Sequence, residues 1–182
     1  MATQKYTKID ERFGVIEYPV TLEEMVEISK ELPKTERKYY QYAFDALKKV
    51  MKAKEAIHYF EVADPKLTKT GFIVVGEHNL YLVMMKGGLF GGAEAEVVKY
   101  KDIKEVDFDI IQGPFGISLM NTGIIYLEMK KMFGTKKRTI RNIPDYNVDG
   151  VLGVEPASSS ETDIFEYSEY NPLINDAGSP FK

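Results

Sequence analysis

The hydrophobic period of this chain changes once, near Glu55, and that change limits the fold more than any other feature. Before it, apolar residues recur at helical spacing; after it, they alternate as in strands. Thr21-Leu22-Glu23-Glu24 has the pattern of a capping box, with threonine at the N-cap and glutamate at N3. Leu22, Val26 (or Met25), Ile28 and Leu32 then form one stripe, which Pro33 ends. A second helix is predicted from about Thr35, its stripe built from Tyr40, Phe44, Leu47 and Met51. Lys48, Lys49, Lys52 and Lys54 follow in its expected last turns, where cations suit the helix dipole.

Beyond the switch, short strands are predicted at Ala56–Val62, Gly71–Val75, Leu80–Lys86, Glu94–Tyr100, Ile103–Ile111, Gly116–Met120, Gly123–Lys131 and Thr135–Ile143. Val106, Phe108 and Ile110 alternate with Asp107 and Asp109; Ile125, Leu127 and Met129 share a face that ends in Lys131. Leu80 to Met85 is apolar on both faces, so its outer side needs a cover, either the helical hairpin or the tail. Asn121-Thr122-Gly123, Glu77-His78-Asn79 and Phe133-Gly134-Thr135 read as tight turns. Closely spaced strands joined by such turns indicate an antiparallel meander closed as a small barrel or sandwich. The expected organisation is an N-terminal arm (1–20), a helical hairpin (21–54), a barrel (55–156) and an acidic tail (157–182). A weak helix over Asn147–Glu155 is interrupted by Gly150 and Gly153.

Composition removes several classes of function. The 182 residues include no cysteine, so disulfides, thiolate zinc sites and a cysteine nucleophile are excluded. No run approaches the roughly 18 apolar residues of a membrane span, and Met1 to Gly14 does not look like a secretory signal. A cytoplasmic protein is the expectation. Net charge is −4, but it is unevenly placed. Up to Pro144 there are 23 basic and 20 acidic residues; from Asp145 onward there are eight acids and only Lys182. A body of +3 therefore precedes a tail of −7. Lys130, Lys131, Lys136, Lys137, Arg138 and Arg141 crowd together with no acid among them.

Gly71-Phe72-Ile73-Val74-Val75 followed by Asn79-Leu80-Tyr81-Leu82-Val83 resembles the paired strands that open a bacterial pleckstrin-homology-like domain. Val97-Val98-Lys99-Tyr100-Lys101-Asp102-Ile103 is similar to the hydrophobic–polar–Tyr–x–Asp–Ile step of its YokE-like group. Ile140-Arg141-Asn142-Ile143-Pro144 resembles that group's last strand. The resemblance covers roughly Glu55 to Gly153. It implies an α+β protein with a PH-like barrel of about seven or eight strands, capped by a helix and used for docking in a bacterial or prophage protein. Self-association into a homo-oligomer is also compatible with it.

Catalytic groups are scarce. His58 lies on a strand among apolar neighbours and His78 in a turn, so they make no metal pair. Ser118 lacks the flanking glycine of a nucleophile elbow. Asp107 and Asp109 share a strand face, yet no loop supplies the further oxygens a calcium ion requires. Gly87-Gly88-Leu89-Phe90-Gly91-Gly92 has neither the lysine–serine/threonine end of a P-loop nor a following helix. No enzyme activity, cofactor or metal is expected.

Two turns do stand out. One carries Leu89 and Phe90 between glycine pairs; the other carries Met132 and Phe133 among lysines. Apolar residues at turns suggest a contact surface. The residues expected to make it are Lys131, Met132, Phe133, Lys136, Lys137 and Arg138, with Leu89 and Phe90 as a second contact. A protein partner is the first reading, and an anionic surface, nucleic acid or membrane lipid, held by the basic hairpin 130–141 is the alternative. The tail's Phe165, Tyr167 and Tyr170, set among acids, suit a linear motif that docks in cis on the basic hairpin or in trans on another protein.

Overall fold

A computed structural model of the protein describes residues 16–87, 91–112 and 122–144. Its order is β1 (Val20–Thr21), α1 (Leu22–Ser29), α2 (Lys34–Leu47), β2 (Ala56–Lys66), β3 (Lys69–Gly76), β4 (Asn79–Met85) and β5 (Ala93–Lys99). A single 3-10 turn at Tyr100–Asp102 then leads to β6 (Ile103–Ile111), β7 (Thr122–Lys130) and β8 (Thr135–Pro144). The predicted strand Gly116–Met120 and the C-terminal helix fall outside the described residues. The fold is α+β, with one antiparallel path of strands in the order β5-β4-β3-β2-β8-β7-β6 and β1 added against β2.

That path bends into two layers. β2 pairs along its length with β3 and meets β8 at one position, Asp64 opposite Arg141. The bend is helped by a bulge in β8: the register against β7 shifts between Gly123 and Ile125, and Asn142 adopts a left-handed backbone there. Asparagine tolerates that conformation better than most side chains, and its amide donates to the Asp64 carboxylate. The two inner faces enclose Tyr59, Ile73, Leu82, Ile125, Leu127 and Ile140.

The other face of β2–β4 is equally apolar. Phe60, Phe72, Val74, Tyr81 and Val83 are all buried there beneath α1 and α2. The helical hairpin thus covers the outer side of the Leu80–Met85 run. Aromatic rings make the joint: Phe60 and Phe72 lie 4.8 Å apart between centroids, Tyr40 and Phe72 5.0 Å, and Phe44 and Phe60 5.9 Å. Such pairs add about 0.5–1.5 kcal/mol each beyond their burial.

The capping box at Thr21 forms as expected, with Glu24 accepting from the Thr21 backbone N–H at 2.7 Å. In α1 it is Met25, not Val26, that is wholly buried. The second helix stops at Leu47, about two turns short of the expected lysine-rich end at Lys54. Its stop has a local cause. Glu55 is buried and accepts from the Lys52 backbone N–H at 3.1 Å, while Lys54 adopts a left-handed backbone. The same carboxylate accepts from the Tyr81 hydroxyl at 2.7 Å and the His78 backbone N–H at 3.3 Å, fastening the helix exit to the β3–β4 turn. Burial, reinforced by the Glu55 carboxylate, outweighs the opposing Asn79 hydrogen bond and leaves the Tyr81 hydroxyl well above its ordinary pKa.

The Tyr100–Asp102 turn forms the corner between the layers. Tyr100 donates to the Gly76 carbonyl at 2.6 Å, tying that corner to the end of β3. β6 departs from the expected half-buried strand. Val106 packs against the core, but Phe108 and Ile110 remain 45% and 43% exposed. β6 ends the strand path among the described residues, so only one of its edges is paired there, with Phe108 opposite Ile125 and Ile110 opposite Gly123 of β7. The Asp107 and Asp109 carboxylates accept from the next residues' backbone N–H groups, each at 2.8 Å.

β3 and β4 approach so closely that Gly71 is obligatory. A Cβ at this position would lie 1.8 Å from the Val83 carbonyl oxygen, whereas one at Gly87 would meet nothing within 4 Å. Gly71→Ala should therefore cost on the order of 3 kcal/mol or more, and Gly87→Ala should be nearly neutral. Urea unfolding of both variants checks this.

Candidate functional site

The β7–β8 hairpin carries the candidate surface. Cross-strand pairs Lys130–Thr135, Met129–Lys136, Glu128–Lys137 and Leu127–Arg138 set its register. Lys131-Met132-Phe133-Gly134 makes the turn, closed by the Lys131 backbone N–H donating to the Gly134 carbonyl at 3.1 Å. Gly134 has φ 80°, so glycine is the natural residue to complete it. Met132 and Phe133 point away from the body, 91% and 89% exposed. Full burial of one such side chain contributes about 1.5–3 kcal/mol, a gain the body of the protein does not take from either of them.

Strand alternation divides the basic residues between the two sides of the hairpin. Lys136 and Arg138 lie opposite Met129 and Leu127, on the side that faces the enclosed core. Lys137 lies opposite Glu128 on the other side and comes within 3.8 Å of it, while Lys104 reaches the same carboxylate at 3.1 Å. The Lys104 hydrogen bond, with Lys137 farther away, holds the Glu128 carboxyl below its usual range.

Arg138 has a separate role. Its side chain is 9% exposed and pairs with Glu96 of β5 through two contacts of 2.7 Å each. This bidentate pair spans the seam between the two layers. Burial alone would raise the Glu96 carboxyl. The hydrogen bonds and charge of Arg138, with Lys136 and Lys66 behind it, outweigh that effect and hold it below the usual carboxylate range. Arg138 is thus engaged within the protein, while Lys131 and Lys136 carry no ion pair among the described residues.

Beside this seam lies a shallow groove of about 170 Å³. β5 and the 3-10 corner contribute Glu96, Lys99 and Asp102; the hairpin contributes Lys130, Lys131 and Lys136. The groove is therefore moderately basic, and the apolar tip projects from Lys131, at its hairpin side. Lys99, Glu96 and Asp102 were not among the residues predicted from sequence, because only closure of the two layers brings β5 to the hairpin. Leu89 and Phe90, and the tail's Phe165, Tyr167 and Tyr170, lie outside the described residues. His58 and His78 are not brought together with a third ligand: no group of three or more His, Cys, Asp or Glu suited to a metal ion occurs among the described residues. Nor is any helix among them long and apolar enough to cross a membrane.

Two antiparallel layers with a single-turn corner, joined through β2 and β8, define a PH-like domain. The bacterial PH domain family matches residues 51–151, and the chain belongs to that family. It is 49% identical over 152 residues to the SPbeta prophage-derived uncharacterized protein YokE of Bacillus subtilis (strain 168), a match covering 83% of this chain and 95% of that protein. Among solved structures, the hSac2 domain from human phosphoinositide phosphatase Sac2 is similar over 60% of this chain and 69% of that one, with 10% identity and a TM-score of 0.37.

The seam pair yields a prediction with a definite sign. A carboxyl whose pKa falls on folding stabilises the fold above its unfolded value, and that contribution is lost as pH drops through the folded value. Wild-type protein should lose stability as pH falls below about 4, the ordinary glutamate range. Glu96→Gln, which lacks this contribution, should show a flatter profile over the same window. Arg138→Met should cost about 1–3 kcal/mol at neutral pH. Thermal unfolding of the three proteins across pH checks both statements.

Proposed function

We propose that this PH-like domain is a non-catalytic docking module for another protein, with the β7–β8 tip as its contact. The observation that carries this reading is the exposure of Met132 and Phe133, 91% and 89%, at the end of an ordered hairpin. An apolar anchor within a charged rim is ordinary interface anatomy. Here the rim is Lys131, Lys136 and Lys137, so the partner offers an apolar pocket bordered by acids. Arg138 supports the hairpin from within. Family membership supports the same class of activity, and the prophage-derived relative makes a bacterial or prophage setting the natural one.

The groove gives an anionic surface some claim, since it gathers four lysines, Lys99, Lys130, Lys131 and Lys136. Glu96 and Asp102 in the same lining reduce its positive charge. A polyphosphate or nucleic acid gains most of its affinity from charge, and such binding weakens steeply with salt. A protein seated on Met132 and Phe133 depends on salt much less.

Replacing both Met132 and Phe133 with serine should reduce capture of the host partner by about tenfold or more, as expected for loss of a hot-spot pair. The melting temperature should stay nearly unchanged, because neither residue contributes to the core. Capture with the purified double variant, at two ionic strengths and with nuclease treatment, tests this. Unchanged capture would overturn the reading, as would a large fall in melting temperature.

A further inference from the structure

We propose that the acidic tail docks in cis on this same surface, its segment Glu161–Tyr170 lying against the lysine groove and the Met132–Phe133 tip. The inference rests on the reading of the tip as a docking surface and adds its regulation. The tail would be an internal competitor that an external partner must displace.

Three observations carry it. The first is charge: Glu161, Asp163, Glu166 and Glu169 stand in the segment, and Lys99, Lys130, Lys131 and Lys136 line the groove. Oppositely charged surfaces of this kind select one another. The second is composition. Ile164, Phe165, Tyr167 and Tyr170 alternate with those acids, offering apolar and aromatic groups to an exposed methionine and phenylalanine. Met132 brings a polarizable thioether suited to aromatic edges.

The third is reach. β8 ends at Pro144, and its ten residues must be retraced to return to the tip, a distance of about 33 Å at 3.3 Å per residue. Phe165 lies 21 residues beyond Pro144. That length spans up to about 70 Å when extended, and about 25 Å root-mean-square as a flexible coil. The tether therefore permits the contact and places the segment near it at high effective concentration.

The cysteine-free sequence allows a direct test in the full chain. Met132→Cys with Ser168→Cys creates the only thiol pair. Mild oxidation should give an intramolecular disulfide, seen as a monomer two hydrogens lighter by intact mass. Lys30→Cys with Ser168→Cys is the control, since Lys30 is exposed at the end of α1 and apart from the groove. The first pair should close about tenfold faster than the control, and high salt should remove most of that advantage. Lys131→Glu with Lys136→Glu, added to the first pair, should do the same. Melting temperatures confirm that each variant folds.

Equal closure rates for the two pairs would overturn the proposal. So would an advantage indifferent to both salt and charge reversal, or a product formed only between chains, which would place the tail on a second copy. Crosslinking needs no external partner, so the two readings fail separately. Equal rates with capture still lost in the Met132/Phe133 double variant would remove the tail contact alone. Fast closure with capture intact would remove the external docking role alone.

Discussion

A sheet that is apolar on both faces cannot stand alone in water, and β3 and β4 are such a sheet. Ile73, Val75, Leu80 and Leu82 point into the enclosed core, while Phe72, Val74, Tyr81 and Val83 point the other way. Burying one such face is ordinary for an antiparallel layer. Burying both requires two separate covers, and the chain supplies them from opposite sides in sequence. The helices come before the sheet and close its outer face; β6–β8 come after it and close the inner one. Glu55 connects these parts, because it joins the helix exit to the β3–β4 turn from a site with almost no access to water. Its carboxylate accepts from several donors, which offsets the desolvation a buried acid would otherwise suffer.

The position of the candidate surface follows from that arrangement. Once β6–β8 are committed to the inner face, the β7–β8 turn projects beyond the core it helps to enclose. Residues of β7 up to Met129 and of β8 from Arg138 on are held by packing or pairing, and Lys131–Lys137 between them are exposed. Arg138 and Glu96 fall at the boundary and close the seam between β5 and the hairpin. One cluster of positive charge in the sequence therefore separates into two parts. Arg138 is half of an internal pair and supports the hairpin, Lys137 shares Glu128 with Lys104, and Lys131 and Lys136 are left to face solvent at the tip.

Much of this was legible in the sequence, for a physical reason. Period, turn chemistry and capping are local, and each acts within a few residues. Thr21 and Glu24 and the period switch at Glu55 could be read directly, whereas the step through Tyr100 and Asp102 into Ile103 could be read only through the family resemblance. The need for a cover over Leu80–Met85 could be read too, though sequence left the helices and the tail as rival covers. What could not be read depends on closure. Glu96 and Arg138 are 42 positions apart and meet only when the layers come together. The early end of α2 is a related case, since its signal is a carboxylate that makes sense only beside Tyr81. Phe108 and Ile110 alternate as a core strand should, yet alternation reports only which side a residue faces and not whether anything lies on that side.

The same limit applies to the basic cluster. A count of lysines and arginines along 130–141 suggests a site for a polyanion, because charge in a sequence carries no sign of its partners. In the folded protein Arg138 is neutralised by Glu96, Glu128 draws in Lys104 and Lys137, and Asp102 shares the groove with the remaining lysines. Counterion release, the chief source of affinity for phosphate chains, scales with the number of charges actually offered. Each internal pair reduces that number, while nothing within the described residues covers Met132 and Phe133. As the charge term shrinks and the apolar term stays whole, the balance moves from a phosphate backbone towards a segment that is both acidic and aromatic. A surface of that mixed character distinguishes ligands by composition more than by charge, and this is the physical basis for preferring a polypeptide as its occupant.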